Sequence, residues 1–237
     1  MIRHHAADLF AAFAAFAAAS LSVSPALAAD AAHPEVVELF QSQGCSSCPP
    51  ANANVSALSE RPDVLALSFG VTYWDNLGWK DTFATPAYTA RQWDYAHALG
   101  HKNVFTPQVM INGRREGVGV DPAELRALLT AGDRGASGPV VSIGARAVAI
   151  SAGPSRKTAD VWLVRYDPRI VQVPIRRGEN AGRTLPHKDV VRELTRIGHW
   201  NGAAERLTIP AAADPTLRTA VLLQISGGGP ILAAARS

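Results

Sequence analysis

Val36-Val37-Glu38-Leu39-Phe40-Gln41-Ser42-Gln43-Gly44-Cys45-Ser46-Ser47-Cys48-Pro49-Pro50 is the stretch on which the reading of this chain turns. Its first five residues are an apolar, strand-like run, and Gln41 to Gly44 form a short polar joint. Two cysteines three apart follow, and two prolines then open a helix-like segment, because a first-turn N–H has no helical partner to lose. Strand, turn, Cys-x-x-Cys and helix in that order mount a thiol pair for redox chemistry. Cys45 and Cys48 are the only cysteines of the 237 residues, so any intramolecular disulfide joins these two.

Upstream, Arg3, the alanine-rich apolar stretch Leu9 to Val23 and Pro25-Ala26-Leu27-Ala28 have the layout of a secretory leader ending in small residues. The apolar stretch is short for a membrane span of ~20 residues, and no later segment reaches that length. The expectation is a signal peptide over residues 1–28, a periplasmic or secreted product, and no stable membrane span after cleavage. Export matters chemically, since a dithiol that the cytosol keeps reduced can persist as a disulfide outside it. The formal charge of +3 carries no basic stripe, which argues against a nucleic-acid partner. Gly227-Gly228-Gly229-Pro230 lacks the Lys-Ser/Thr of a phosphate loop, and no bound cofactor is expected.

Downstream, the near-continuous apolar run Val64–Phe69 predicts a strand buried on both faces. Helix spacing of Tyr88, Gln92, Tyr95 and Leu99 predicts a helix over 86–99 stopped by Gly100. Gln108–Ile111 and Gly117–Val120 flank the turn signal Asn112-Gly113, and Asp121-Pro122 caps a last helix through Leu129. The turn formers from Gly132 to Pro139 then divide the chain into domains at 29–134 and 135–237. The second half holds about seven strand-like runs and predicts a small β-sandwich. Within it Val190–Trp200 is ambiguous, because Val190, Val191, Leu194 and Ile197 also fit a helical stripe.

The order β-α-β-α-β-β-α in residues 29–134 resembles the α/β thioredoxin-like fold, a central mixed sheet flanked by helices. A right-handed βαβ crossover makes the first two strands parallel, so the Cys pair, the loop Val71–Asp81 and Thr106-Pro107 reach one sheet edge. The resemblance implies a cis-proline at Pro107 facing the disulfide. The opening stretch, Tyr73-Trp74-Asp75 with Leu77-Gly78-Trp79-Lys80-Asp81, Thr106-Pro107-Gln108 and Arg177-Gly178-Glu179-Asn180 with Gly182-Arg183-Thr184-Leu185 are similar to an uncharacterised family of secreted bacterial proteins, domain of unknown function 1223. Gly70 and Thr72 stand where many relatives have histidine and aspartate.

These residues lead to an expected exported thiol–disulfide oxidoreductase. Cys45, as the more exposed sulfur, would attack, and Cys48 would resolve the mixed disulfide. Thr106 and Pro107 would present a backbone edge to a substrate, and Glu38 would be either a buried proton acceptor for Cys48 or an exposed strand-edge charge. Partners would be protein or small-molecule thiols and disulfides. A staple closing so short a loop contributes only ~2 kcal/mol in the chain-entropy model, which disfavours a purely structural role. The second reading is a non-catalytic interaction protein with an incidental disulfide. The third is periplasmic copper handling by the two thiolates and one of His33, His97, His101, His187 or His199. The aromatics Tyr73, Trp74 and Trp79 are read as a substrate groove or as core over the sheet edge, and Arg176-Arg177-Gly178-Glu179-Asn180 with Arg183 as an anion or partner site or as a solvated hairpin loop.

Overall fold

The computed structural model describes residues 28–154 and 157–237. The leader expected over 1–28 therefore lies outside the described residues except for Ala28. Among the described residues no helix is long and apolar enough to cross a membrane.

Strand β1 (Glu35–Gln41) leads to helix α1 (Cys48–Leu58), strand β2 (Val64–Gly70) and helix α2 (Pro86–Ala98). Strands β3 (Gln108–Ile111) and β4 (Arg115–Gly117) and helix α3 (Pro122–Gly132) follow. The helix starts obey local chemistry. The Thr85 hydroxyl accepts from Tyr88 N–H ahead of Pro86, and the Asp121 carboxylate accepts from Ala123 and Glu124 N–H ahead of Pro122. The return strand begins two residues earlier than its expected start at Gly117, because Asn112 takes a left-handed φ of 48° and the turn closes from Arg114 N–H to Ile111 O.

Among the described residues after α3 every regular element is a strand: β5 (Val141–Ile143), β6 (Ala147–Ile150), β7 (Ala159–Asp167), β8 (Val171–Pro174), β9 (Thr184–His187), β10 (Val190–Trp200), β11 (Glu205–Thr208), β12 (Arg218–Ile225) and β13 (Ile231–Arg236). The ambiguous run is β10. The register slip at 192 against β7 inserts an extra residue and puts Val191 and Leu194, three apart, in one core, while Ile197, at the slip near 197, packs in the other and only happens to continue the helical spacing.

The boundary expected at 134/135 does not divide the main sheet. Its eight strands run β13-β12-β7-β10-β2-β1-β3-β4. Strands β1 and β2 are parallel, β3 is antiparallel to β1, and β10 joins β2 through the pair Val190↔Ser68. One face packs Phe40, Phe69, Tyr88 and Tyr95 with Val164, Tyr166 and Leu222 in a single core that crosses that boundary. On the other face of β1, Val37 and Leu39 meet Ala51 and Val55 of α1 and Leu125 of α3. The three-stranded sheet β11-β6-β5 covers Val161, Leu163, Val221 and Leu223. Hairpin β8–β9 stands apart as its own pair, packed through Val173, Ile175 and Leu185 against Trp79 and Phe83.

Candidate functional site around the disulfide

Cys45 and Cys48 form a disulfide with Cα atoms 5.4 Å apart. Cys48 is the first residue of α1, so the pair sits at the positive end of the helix dipole. The turn into it is closed by Cys45 N–H to Ser42 O at 3.1 Å and by Gly44 N–H to the Ser42 hydroxyl at 3.1 Å. Ser47 Oγ lies 3.3 Å from Cys45 Sγ. The expectation of a more exposed Cys45 is overturned: Cys45 is 0 % and Cys48 1 % exposed.

The covering element is the segment expected to be a solvated loop. Between β8 and β9, Asn180 is fully buried, and its Nδ2 donates to Gln43 O and Cys45 O, both at 2.9 Å. Neighbouring Glu179 accepts from Ser46 N–H at 3.1 Å, and bonding to Ser46 holds its carboxyl below the usual range. Arg176 and Arg177 stay exposed on the outside.

Gln43 is a residue that the sequence reading passed over. It is fully buried, and its four polar atoms are all engaged. Its N–H donates to Asp81 Oδ2 at 2.7 Å, its carbonyl accepts from Asn180, its Nε2 donates to Thr82 Oγ1, and its Oε1 accepts from Trp79 Nε1 at 2.9 Å. The aromatic segment thus walls the site rather than lying open as a groove. Trp74 Nε1 donates to Thr106 Oγ1 at 2.7 Å, which fixes the loop ahead of Pro107. The Thr106–Pro107 bond is cis, and the register Phe40↔Gln108 brings it to the sheet edge that the Cys45 turn leaves. Burial raises the pKa of the Asp81 carboxyl, against the pull of the N–H groups of Gln43 and Phe83.

Glu38 does not serve Cys48, and it is not an exposed edge charge. Side chains alternate along β1, so while Val37 and Leu39 face α1, Glu38 faces α2. There it is fully buried, accepting from Arg91 Nε at 2.6 Å and from the Tyr95 hydroxyl. Gly70 has a structural reason to be glycine, since a Cβ there would lie 2.8 Å from Ala84 N. Thr72 Oγ1 pairs with Thr89 Oγ1 at 3.0 Å.

The histidines are dispersed. His33 meets Asp30, His97 the Trp93 ring, His101 Glu116 and His199 Asp160. Among the described histidines His187 alone lies near the site, 3.0 Å from Gln41 Nε2 through Nδ1, and burial pushes its pKa down to about 4. Among the described residues no group of three or more His, Cys, Asp or Glu is placed to hold a metal ion.

The family model described as protein of unknown function, DUF1223, matches residues 36–224. No curated protein matches the chain. A crystal structure of an Agrobacterium tumefaciens protein from a structural genomics consortium is similar at 32 % identity and a TM-score of 0.70, covering 88 % of this chain and 94 % of that one. HBP35 of Porphyromonas gingivalis is similar at 11 % identity and a TM-score of 0.58, over 86 % of this chain and 74 % of its own, a likeness of fold alone.

Proposed function

The chain belongs to the DUF1223 family of proteins of unknown function, and from that premise we propose an exported thiol–disulfide oxidoreductase with a thioredoxin-like domain and a β-rich C-terminal part, its disulfide screened by hairpin β8–β9. The observation that carries the reading is how the Cys pair is held. It sits at the start of α1, joins no distant elements, and is covered through the polar contacts of Asn180 and Glu179. The tip around Asn180 and Glu179 can lift while the apolar base of the hairpin, Val173, Ile175 and Leu185, stays packed, because each of its hydrogen bonds is exchanged for one to water at a net cost of only ~1 kcal/mol.

With the hairpin lifted, a partner thiolate attacks Cys45 Sγ, the Sγ–Sγ bond breaks, and Cys48 leaves as a thiolate that takes up a proton. A second partner thiolate then attacks the partner sulfur of the mixed disulfide and releases Cys45. The partner ends oxidised to a disulfide, and the Cys pair has gained two electrons, with a proton on Cys48 and Cys45 left as a thiolate. Run backwards, the same steps oxidise a dithiol. The helix dipole and the Ser47 hydroxyl would stabilise the Cys45 thiolate, keeping Cys45 as attacking group in the reduced protein.

The burial of both sulfurs favours a second reading, a non-catalytic interaction protein whose disulfide is an inert staple. The two part on one experiment. Asn180→Ala removes both bonds to the Cys turn and should raise the rate of disulfide reduction by dithiothreitol about tenfold or more, read as thiols alkylated over time. In Cys48→Ser, partners should be trapped as mixed disulfides through Cys45. Equal rates for wild type and Asn180→Ala, with a reduction potential below about −300 mV, would establish the inert staple instead.

A further inference from the structure

Between α1 and hairpin β8–β9 lies a cavity of about 290 Å³, bordered by Cys48 and His187. Its size is at the lower end of small-molecule sites, ~300–1,000 Å³. The walls are largely apolar, from Pro49, Ala53, Leu185 and Pro186, with Ile170 exposed at the rim. Arg183 and Lys188 bring two cations, and no aspartate or glutamate lines the space. Both cations hold partners, Arg183 Nη1 at Asn180 Oδ1 and Lys188 Nζ at Glu60 on the outer surface. Glu60 offsets the Lys188 charge, whereas the Asn180 amide is neutral, so the Arg183 charge still acts on whatever enters.

His187 supplies the second, independent observation. Gln41 Nε2 donates to Ser68 Oγ at 2.7 Å and lies 3.0 Å from His187 Nδ1. An amide nitrogen carries only donors, so Nδ1 accepts and the ring proton resides on Nε2. That Nε2–H is buried and has no hydrogen-bond partner. Buried donors without an acceptor are rare in folded proteins. An incoming oxygen would satisfy this one. With the pKa pushed down to about 4, the ring stays a neutral single donor at neutral pH.

We propose that this cavity binds a small, apolar carboxylate, one oxygen accepting from His187 Nε2–H, the charge facing Arg183, and the hydrocarbon lying against Pro49, Ala53 and Leu185. The site stands apart from the disulfide chemistry proposed above, because binding is read on the oxidised protein with no thiol present.

The test is isothermal calorimetry of the mature protein with octanoate, octan-1-ol and octylamine. Octanoate should bind saturably with a Kd of about 1 mM or tighter, ahead of the alcohol and the amine. His187→Phe keeps an aromatic ring against Phe83 and removes the donor, and it should weaken octanoate about tenfold and octan-1-ol, whose oxygen accepts without charge, by less. Ala53→Trp, on the exposed face of α1, should block octanoate without disturbing the core, and it serves should His187→Phe fail to fold. Absence of saturable octanoate binding, preference for octylamine, or unchanged octanoate affinity in either folded variant would overturn the proposal.

Discussion

Arg91→Met is expected to lower the unfolding free energy by about 3–5 kcal/mol, measured by urea denaturation. Arg91 is 4 % exposed and Glu38 is not exposed at all, so the pair is sealed from water. Burial is the largest single influence and works against the Arg91 charge, but the attractions of Glu38, Tyr95 and Asp94 together outweigh it, and the guanidinium's pKa sits above its ordinary value. The guanidinium also donates to the Tyr95 hydroxyl at 3.0 Å and lies over the rings of Phe69, Tyr95 and Trp162 at 5.2–5.8 Å from their centres. Without it, the Glu38 carboxylate is left among Val36, Phe40 and Leu65 with only the Tyr95 hydroxyl to answer it. The energetic harm lies in that stranded charge more than in the lost attraction. The double variant Glu38→Gln/Arg91→Met should therefore recover most of the loss, since the amide still meets Tyr95 and carries no charge. A single variant within about 1 kcal/mol of wild type would mean that the pair behaves as though solvated.

The same pair shows where the sequence is readable and where it stops. Strand, Cys-x-x-Cys and proline-led helix are legible because each rests on a local rule acting over a few residues. The face to which Glu38 points is not, because β1 is apolar on both sides and its alternation alone does not say which side carries α1. Asn180 and Gln43 are harder still. Asn180 lies 135 residues from Cys45, within a polar run that looks like any surface loop, and its role exists only once hairpin β8–β9 has folded back over α1. The alternation of Val171, Val173 and Ile175 was a signal for that hairpin, and Leu185 with His187 was its counterpart. In β10, a bulge at 192 put Val191 and Leu194 on one face three residues apart, and Ile197 of the other face happened to continue that spacing, which no local count could have resolved. The sheet that spans both halves was hidden for a related reason: linkers are local, but Val190↔Ser68 is a pairing between elements more than a hundred residues apart.

Acidification should expose two opposed contributions hidden in the wild-type protein. Burial pushes His187 down to about 4 from 6.5. The unfolded chain binds a proton below 6.5 while the folded one does not until about 4. Stability from the neutral ring is thus full above pH 6.5 and lost as pH falls toward 4, about 3 kcal/mol in all. Glu35 runs the other way. Burial first, and the nearby Asp133 second, raise its pKa from 4.5 to about 7. The folded state holds that proton across the window, so this stabilisation is present at low pH and lost as pH rises from 4.5 to 7, again about 3 kcal/mol. The two nearly offset, and wild type should change little from these groups between pH 4.5 and 7. Glu35→Gln should lose stability on acidification, and His187→Gln should gain it, relative to wild type in urea melts at pH 4.5, 5.5, 6.5 and 7.5. Asp81, Asp94 and Asp189, raised by burial, are common to all three proteins and cancel in the differences. A His187→Gln profile parallel to wild type would show that the ring is already solvated, and the cavity beside Cys48 would then hold water around Nε2 instead of an unanswered donor.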